Sequence, residues 1–392
     1  MEKNGNTVNV HPLLRKRDGH HARVTFEELF FDLVYAFAVT QLSHELLHNL
    51  SIIGVIQTLI VWFAVWLGWQ YTCWVTNWFD PETLKIRGLL FVTMGIALVM
   101  AASIPYAFGA RGWIFAISYI VMQVGRTSYI VYELGKHQQL AANYQRMLGW
   151  MIISAIFWIA GALSESSTRI VLWTIAVLCE YVSPMFGFRL PLLGRSRTAD
   201  WTIEGGHLTE RCQLFVIVAL GETLLATGGT LSSAENWNMT LISAMLATFL
   251  ATLSIWWLYF GTSGKEATYA ITHSSDPGRM GAFFHYIHVI LVAGIIVSAV
   301  GNDLVLEHPH AGPSVKYGAV LLAGPIIFLL GSGSYKKAVY STFPITHIVG
   351  IIALAVLIVP SPVLTLSSMG WLTSAVMLII AFWEGHSKPV NN

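Results

Sequence analysis

The chain opens its first apolar segment with Arg23-Val-Thr-Phe-Glu-Glu-Leu-Phe-Phe-Asp-Leu-Val-Tyr-Ala-Phe-Ala-Val-Thr-Gln-Leu42. Three carboxylates, Glu27, Glu28 and Asp32, stand at the start of a segment that is otherwise long and apolar enough to cross a bilayer. An ionisable side chain inside a spanning helix is costly without a partner, so by default it marks a functional site. The stretch therefore predicts a membrane protein with a polar site near the mouth of its first span.

The composition of the whole chain agrees with this interpretation. Of 392 residues, 55% are hydrophobic and only 11% are charged, which is far more apolar than a soluble domain of this length. The net charge of +1 leaves no basic stripe, so we expect no nucleic-acid partner. The cysteines, Cys73, Cys179 and Cys212, have unrelated spacings that predict neither a disulfide framework nor a zinc site, and we expect no metal or cofactor. The many tryptophans of the second apolar segment are assigned to interfacial belts and packing, and a stacked aromatic pocket is the less favoured alternative.

Apolar segments of spanning length follow one another along the whole chain. A spanning helix needs about 20 mainly apolar residues, and we count twelve such segments. The predicted fold class is therefore all-α, a polytopic membrane protein of about twelve transmembrane helices. The spans run approximately over 26–50, 52–76, 86–108, 112–134, 144–163, 169–188, 208–229, 239–261, 280–301, 317–331, 345–360 and 364–382.

The basic residues give this map an orientation. Most lysines and arginines fall on one side of the predicted membrane, and only Arg111, Arg169 and Lys316 fall on the other. By the positive-inside rule, both termini are predicted to be cytoplasmic.

The two halves of the chain show an internal similarity. Span seven aligns with span one when Gln213 is placed opposite Asp32 and Glu222 opposite Gln41. In the same alignment, Trp257-Leu-Tyr259 of span eight matches Trp69-Gln-Tyr71 of span two. Because six spans is an even number, the pattern predicts two parallel six-helix repeats. The predicted divisions are a cytoplasmic tail (1–25), the first repeat (26–190), a linker (191–207), the second repeat (208–384) and a C-terminal tail (385–392). Chance similarity between apolar helices is the alternative.

Five ionisable side chains from four spans lie in one layer of the predicted bundle. At about 1.5 Å per helical residue, each lies about 8 to 14 Å from the cytoplasmic end of its span. They are Asp32, Arg126, Glu180, His285 and His288. We predict that this layer forms an inner gate or proton relay, since imidazole titrates near neutral pH. The alternative is that buried ion pairs there only lock helices together.

Arg126 is the charge in this layer that most needs a partner. An arginine facing lipid at that depth would cost at least about 2.5 kcal/mol, so it should face the bundle and meet a carboxylate. Asp32 and Glu180 are the candidates, and Glu133, two turns along the same span, is a partner nearer the interface. Glu28 is expected at the interface itself.

The outer half of the bundle holds a second set of candidates. Glu222, in Leu220-Gly221-Glu222-Thr223, lies about 21 Å along its span, close to the bilayer centre. A carboxyl group there can carry a proton or bind a cation, or it can be a protonated group in a helix contact. Gln41 and His44 belong to a polar stripe on the outer half of span one that predicts a vestibule. We favour solvated residues over a metal site there.

The first span also resembles a known family. Arg23 with Glu28-Leu-Phe-Phe-Asp-Leu-Val34 and Ala38-Val-Thr-Gln-Leu42 resembles the signature of the low temperature requirement A (LtrA) family of bacterial membrane proteins. His207-Leu-Thr-Glu-Arg211, followed by Val218-Ala-Leu-Gly-Glu222, is similar to the same family. The resemblance implies a multi-pass protein of the bacterial cytoplasmic membrane and adds His207, Glu210 and Arg211 as supporting residues. The alignment of span seven with span one adds Gln213. The family name records a growth phenotype and implies no reaction.

A more distant likeness concerns the same helix. Arg23 followed by Phe31-Asp32 is similar to the Phe-Ser-Asp first-helix motif of noncanonical potassium channels, whose six-span repeats line a pore with their first helices. The resemblance implies that spans one and seven are central. Phe31 replaces the serine, and Gln213 stands where a second aspartate would be, so ion selectivity is not implied.

These observations support three functional hypotheses. We favour a channel or transporter for a small ion or solute, with proton coupling as an option. The alternatives are a membrane-embedded enzyme acting on a lipid or envelope intermediate, and a membrane sensor or scaffold for cold or stress adaptation. The expected partners are the lipid bilayer and a small ion or solute, and a homodimer is the oligomer that we consider.

Overall fold

Helices and short loops make up the chain in a computed structural model that describes residues 11–17, 22–135, 139–197, 203–308 and 311–387. Twelve helical rods follow one another within these ranges. They are α1 Phe26–His48, α2 Ile52–Trp78, α3 Leu84–Ser103, α4 Gly112–Leu134, α5 Gln139–Ala162, α6 Ser166–Val182, α7 Gly205–Ser233, α8 Met239–Thr272, α9 Pro277–Glu307, α10 Val315–Tyr340, α11 Ile345–Val356 and α12 Leu366–Ser387. Each rod corresponds to one of the predicted spans.

Ten of the described helices are long and apolar enough to cross a membrane. The prediction of an all-α polytopic membrane protein is therefore confirmed. The other two rods are α1, which carries several carboxylates, and α11, which has only 12 residues. At about 1.5 Å per residue, α11 is shorter than the bilayer core. Twelve crossings, and the placement of both termini in the cytoplasm, stay predictions.

Side chains set the starts of the helices that form the site. At α1, the Thr25 hydroxyl accepts a hydrogen bond from the backbone of Glu28, whose carboxylate accepts one from the backbone N–H of Thr25 at 2.9 Å. At α7, the Glu204 carboxylate accepts hydrogen bonds from the backbone N–H groups of Gly206 (3.0 Å) and His207 (2.6 Å). These caps hold the first turns of α1 and α7 in register with the rest of the bundle.

The same order of neighbours recurs in the two halves. In the first half, α1 contacts α2 and α3, and contacts then run from α3 to α4, α4 to α5, α5 to α6 and α6 to α2. In the second half, α7 contacts α8 and α9, and contacts run from α9 to α10, α10 to α11, α11 to α12 and α12 to α8. This order supports the predicted repeat, which stays a prediction.

The halves meet where α1 and α2 pack against α7 and α9. Helices α1 and α7 start on the same side, because Glu28 in the first turn of α1 contacts His207 in the first turn of α7. The indole N–H of Trp62 donates to the backbone carbonyl of Val289 at 3.1 Å, which ties α2 to α9. We call the side on which α1 and α7 begin the inner side and the opposite side the outer side.

Small residues bring α9 and α10 into close backbone contact. A Cβ atom added at Gly294 would lie 2.3 Å from the backbone nitrogen of Phe328, and one added at Gly324 would lie 2.4 Å from that of Ser298. Glycine at such positions lets two membrane helices approach closely. Helix α9 is accordingly enclosed: 83% of its most apolar 18-residue stretch is buried. It forms the centre of the second half.

Candidate functional site

A buried group of charged and polar side chains joins α1, α2, α7 and the segment before α1 at the inner side. We call it the inner charge cluster, and its members are Arg15, Glu28, Asp32, Trp69, Asn77, His207 and Arg211. Glu28 has no exposed surface. Its carboxylate accepts hydrogen bonds from Arg15 Nη2 and His207 Nε2, both at 2.8 Å, and Arg211 Nη1 lies 2.9 Å from it. Glu28 is thus enclosed by charged partners, and its expected depth near the membrane interface stays a prediction.

Asp32 is the second carboxylate of the cluster, and its partner is Arg211. The Asp32 Oδ1 atom accepts from Arg211 Nη2 at 2.6 Å and from the Trp69 indole N–H at 2.7 Å. The expected pair with Arg126 is therefore not formed. The reason lies in the start of α7, which begins at Gly205 and not at Leu208. Arg211 is thereby about 9 Å along its helix, at the same depth as Asp32.

The hydrogen-bond network also determines the tautomer of His207. The Asn77 Oδ1 atom accepts from the backbone N–H of Glu204 at 3.0 Å, so Asn77 Nδ2 donates to His207 Nδ1 at 3.1 Å. Because Nδ1 is an acceptor, the proton is on Nε2, which donates to Glu28. His207 is thus neutral, and two carboxylates are balanced by two guanidinium groups. Such a balanced, enclosed set locks helices together, which favours the locking alternative for this part of the layer.

Arg126, in α4, contacts neutral groups. Its side chain is 3% exposed, and Nη1 donates to the carbonyl of Gly68 (3.2 Å) and the hydroxyl of Thr72 (2.8 Å), while Nη2 donates to the Gln123 amide oxygen. In the described part of the chain, Arg126 forms no ion pair. The prediction that it meets a carboxylate is therefore not fulfilled by these residues.

The other predicted carboxylate partners of Arg126 are occupied by different donors. Glu180, in α6, accepts from the hydroxyls of Tyr119 and Ser154 and from the Trp158 indole N–H at 3.0 Å. Glu133 pairs with Lys85 at 2.7 Å. The predicted inner layer is consequently split into separate polar sites.

His285 and His288 of α9 are buried and do not meet a carboxylate among the described residues. His285 Nδ1 donates to the carbonyl of Gly281 at 2.9 Å, and its ring lies against the rings of Trp69 and Trp74 at 5.8 and 5.9 Å. His288 Nδ1 donates to its own helix, and its Nε2 accepts from the Tyr259 hydroxyl at 2.7 Å. Both rings therefore have the contacts of neutral imidazoles, and the geometry does not assemble the predicted relay.

Glu222 lies in the outer half of the α1–α7 contact. It is 6% exposed, and its carboxylate accepts a hydrogen bond from the Thr40 hydroxyl. Asp303 of α9 is equally buried, and its electrostatic neighbours are Glu307 and then Glu222. Asp303 is not among the predicted residues, because span nine was predicted to end at Gly301, whereas α9 continues to Glu307. An acidic residue in Gly301-Asn302-Asp303-Leu304, directly after an apolar run, was the available signal.

The remaining predicted residues lie apart from these sites. Gln41 is half-buried and His44 is exposed on the outer half of α1. Among the described residues, no three His, Cys, Asp or Glu side chains are grouped as metal ligands. Glu210 accepts from the backbone N–H of Val24 at 3.4 Å, and Gln213 contacts Tyr335.

A cavity of about 790 Å³, which we call the inner cavity, lies between the two halves at the inner side. Gln70 of α2 and Tyr286 of α9 line it at a depth of about 12 to 14 Å from the inner helix ends. Asp276 and the exposed Arg279 line it nearer the surface. Its aromatic lining residues are Tyr71, Trp74, Trp78, Phe188, Phe283 and Tyr286. Two tryptophans that we assigned to packing therefore line a cavity, whereas Trp66 and Trp69 are core residues.

These features define a polytopic integral membrane protein with a buried charge cluster and a cavity between two sets of six helices. The chain belongs to the bacterial low temperature requirement A (LtrA) family, whose model matches residues 23–382. It is similar to the uncharacterized protein RA0937 of Rhizobium meliloti (strain 1021), with 36% identity over 374 residues, which cover 95% of this chain and 91% of the relative. No solved structure matches the chain. The resemblance of the first span to this family is confirmed.

Proposed function

We propose that this protein is a carrier that moves a small organic solute across the bacterial cytoplasmic membrane and binds it in the inner cavity. The observation that carries the proposal is that both halves supply the cavity wall, α2 and the segment after α6 from one half and α9 from the other. A site between two helical units can change its access when one unit rocks against the other.

The lining of the inner cavity indicates the class of solute. Its volume lies within the usual range of small-molecule sites, about 300 to 1,000 Å³. Ring faces such as those of Trp74 and Trp78 bind flat apolar groups and organic cations. The amide of Gln70 and the carboxylate of Asp276 add a few polar contacts. We expect an aromatic or cationic organic solute.

The contact between α1 and α7 supports a carrier over a channel. Its inner half is filled by the inner charge cluster, with Glu28 and Asp32 held by Arg211. Its outer half is joined by the hydrogen bond from Thr40 to Glu222. A pore along these helices would have to separate balanced charges in a dry interior, which is costly.

Glu222 and Asp303 are the proposed coupling site. Both are buried in the outer half of the bundle, and neither forms an ion pair within the described ranges. A buried carboxyl group inside a membrane bundle is a common carrier of protons in transporters. A proton that enters from the outer side would reach this pair before the inner cavity, as coupled inward transport requires.

The first test needs no knowledge of the solute. In a variant without the native cysteines, Gln70→Cys is expected to react with a membrane-impermeant maleimide from both membrane faces, because a carrier exposes its cavity alternately. Leu192→Cys, in the exposed turn after α6, is the matched control and is expected to react from the inner side alone. Labelling in right-side-out and inverted vesicles makes the comparison. Reaction of Gln70→Cys from one face alone would contradict the carrier proposal.

The second test measures transport. Proteoliposomes with an acidic exterior are given radiolabelled tryptophan, adenosine and benzyltrimethylammonium as probes. Trp74→Ala is expected to raise the half-saturating concentration of the transported probe about tenfold, since it removes a ring from the cavity. Glu222→Gln is expected to abolish accumulation driven by the pH gradient while solute exchange continues. Trp113→Ala, which changes an exposed tryptophan at the outer end of α4, is the control. Unchanged transport in both site variants would exclude this mechanism.

A further inference from the structure

Gln70 of α2 presents its side-chain amide to the inner cavity in one orientation. The indole N–H of Trp66, one turn away on the same helix, donates to Gln70 Oε1 at 3.0 Å. Because an indole nitrogen is a donor and never an acceptor, the amide atom that faces it is the oxygen. The NH₂ group of Gln70 is therefore at the other end of the amide, away from Trp66.

The position of Trp66 holds the amide in this orientation. Trp66 has no exposed surface, and its ring centroid lies 4.8 Å from that of Trp69 and 5.3 Å from that of Phe215 in α7. If the amide of Gln70 turned over, two N–H donors would face each other in this enclosed site. A buried donor without an acceptor is costly, so the observed orientation is the stable one.

The NH₂ group of Gln70 is open to a ligand. Its nitrogen, Nε2, has no hydrogen-bond partner in the part of the chain that the structure describes. The nitrogen is not enclosed either, since part of the 5% of Gln70 that stays exposed belongs to this atom. Gln70 lines the inner cavity, so a bound solute reaches these N–H donors directly.

The charged groups of the inner cavity lie near its mouth. Asp276 and Arg279 are at the start of α9, whereas Gln70 lies about 12 Å from the inner end of α2. Among the described residues, no charged side chain lines the cavity at the depth of Gln70. A charged solute group placed there would lose its hydration without meeting a counter-charge. The group that meets Gln70 is therefore neutral.

Tyr286 of α9 lines the cavity at a similar depth and has the opposite hydrogen-bonding character. Its hydroxyl donates to the backbone carbonyl of Tyr181 at 2.8 Å, so its proton is already used. The phenol oxygen can still accept a hydrogen bond but has no proton left for a solute. Gln70 is thus the residue of this pair that meets an acceptor on the solute.

We propose that the solute of the inner cavity carries a neutral hydrogen-bond acceptor on an aromatic body, and that this acceptor binds the NH₂ group of Gln70. A carbonyl oxygen or a ring nitrogen has this chemistry. Trp66 is the positioning residue that fixes the amide. The inference rests on the proposed function, because it names the solute chemistry of the same cavity.

Two probes of closely similar shape isolate the acceptor. 2-Acetylnaphthalene has a carbonyl oxygen where 2-isopropenylnaphthalene has a CH₂ group. Binding is measured in nanodiscs, in a variant without the native cysteines, as protection of Ala282→Cys in the cavity wall from a water-soluble maleimide. The ratio of the two half-protecting concentrations is compared between variants, so that partitioning of the probes into lipid cancels.

We expect the protein with Gln70 to bind the ketone about tenfold more tightly than the alkene, because the alkene leaves the amide N–H donors without an acceptor. Gln70→Met is expected to abolish this preference, and Trp66→Phe to reduce it, since the amide is then free to turn over. Gln57→Met makes the same change on α2 at a residue that contacts Ser166 outside the cavity, and it is expected to keep the preference.

A ketone preference that is equal in Gln70→Met and Gln57→Met would overturn the proposal, as would protection by neither probe. If Gln70→Met does not fold, an unchanged preference in Trp66→Phe has the same meaning. The ratio reports the acceptor and not stability, so a merely structural role of Trp66 would leave it unchanged. Labelling of Gln70→Cys from one face alone, together with a ketone preference, would contradict the carrier and keep this inference.

Discussion

Replacing Arg211 with methionine is expected to destabilise the protein by about 3 to 5 kcal/mol, because it leaves two enclosed carboxylates with too little positive charge. Arg211 is fully buried and contacts both Glu28 and Asp32, at 2.9 and 2.6 Å. The one remaining cation of the cluster, Arg15, reaches Glu28 but forms no contact with Asp32 among the described ion pairs. The loss is measured as a shift in the unfolding curve of the detergent-solubilised protein, followed by tryptophan fluorescence.

Two further variants assign the effect to charge. Arg111→Met removes an exposed arginine that lies over the Tyr106 ring on the outer side, and it is expected to change the unfolding free energy by less than about 0.5 kcal/mol. The double variant Asp32→Asn, Arg211→Met keeps Glu28 paired with Arg15, so the cluster stays balanced, and it is expected to recover part of the loss. If Arg211→Met is as stable as Arg111→Met, the cluster does not lock the helices.

The second large effect is expected at the contact between α9 and α10. Gly294→Val is expected to cost about 3 kcal/mol or more, since overpacking of an interior that cannot yield is strongly destabilising. The new Cβ atom would lie 2.3 Å from the backbone nitrogen and 2.6 Å from the Cα atom of Phe328. Backbone atoms cannot rotate away as a side chain can, so the two helices would have to separate. Unfolding curves and the monodisperse fraction in gel filtration measure the loss.

A glycine with open space beside it is the control for this substitution. Gly95→Val on α3 introduces the same side chain where no atom lies within 4 Å. It is expected to leave the unfolding free energy within about 1 kcal/mol of the starting protein, the range of helix propensities. Similar losses in the two variants would show that close backbone contact is not what limits residue size at Gly294.

The helices could be predicted from the sequence almost one by one, because an apolar run of spanning length is a local property. Their ends were less predictable, and two of them changed the interpretation of the site. The extra turn at the start of α7 places Arg211 deeper in the bundle, about as far from the inner helix ends as Asp32. The extension of α9 to Glu307 places Asp303 inside a helix. In both cases polar residues had been taken as the end of a span, although the helix continued through them.

The partners of the buried charges could not be predicted. Depth along a helix put Asp32, Arg126 and Glu180 in one layer, but depth does not state which way each side chain points around the helix axis. The structure turns Asp32 towards Arg211, Glu180 towards Tyr119 and Arg126 towards Thr72. Helix rotation depends on the packing of every neighbour, so it is a property of the whole bundle.

The sequence by itself determined that this chain is an all-helical membrane protein with carboxylates at the mouth of its first helix. Those conclusions follow from the length of apolar runs and from the cost of charge in a bilayer, which act on each segment separately. The tertiary structure alone decided that Glu28 and Asp32 belong to a balanced cluster, that Arg126 has no carboxylate partner among the described residues, and that Trp74 and Trp78 line a cavity. These outcomes depend on which helices are neighbours and how each is rotated, and contacts between residues far apart in the chain set both.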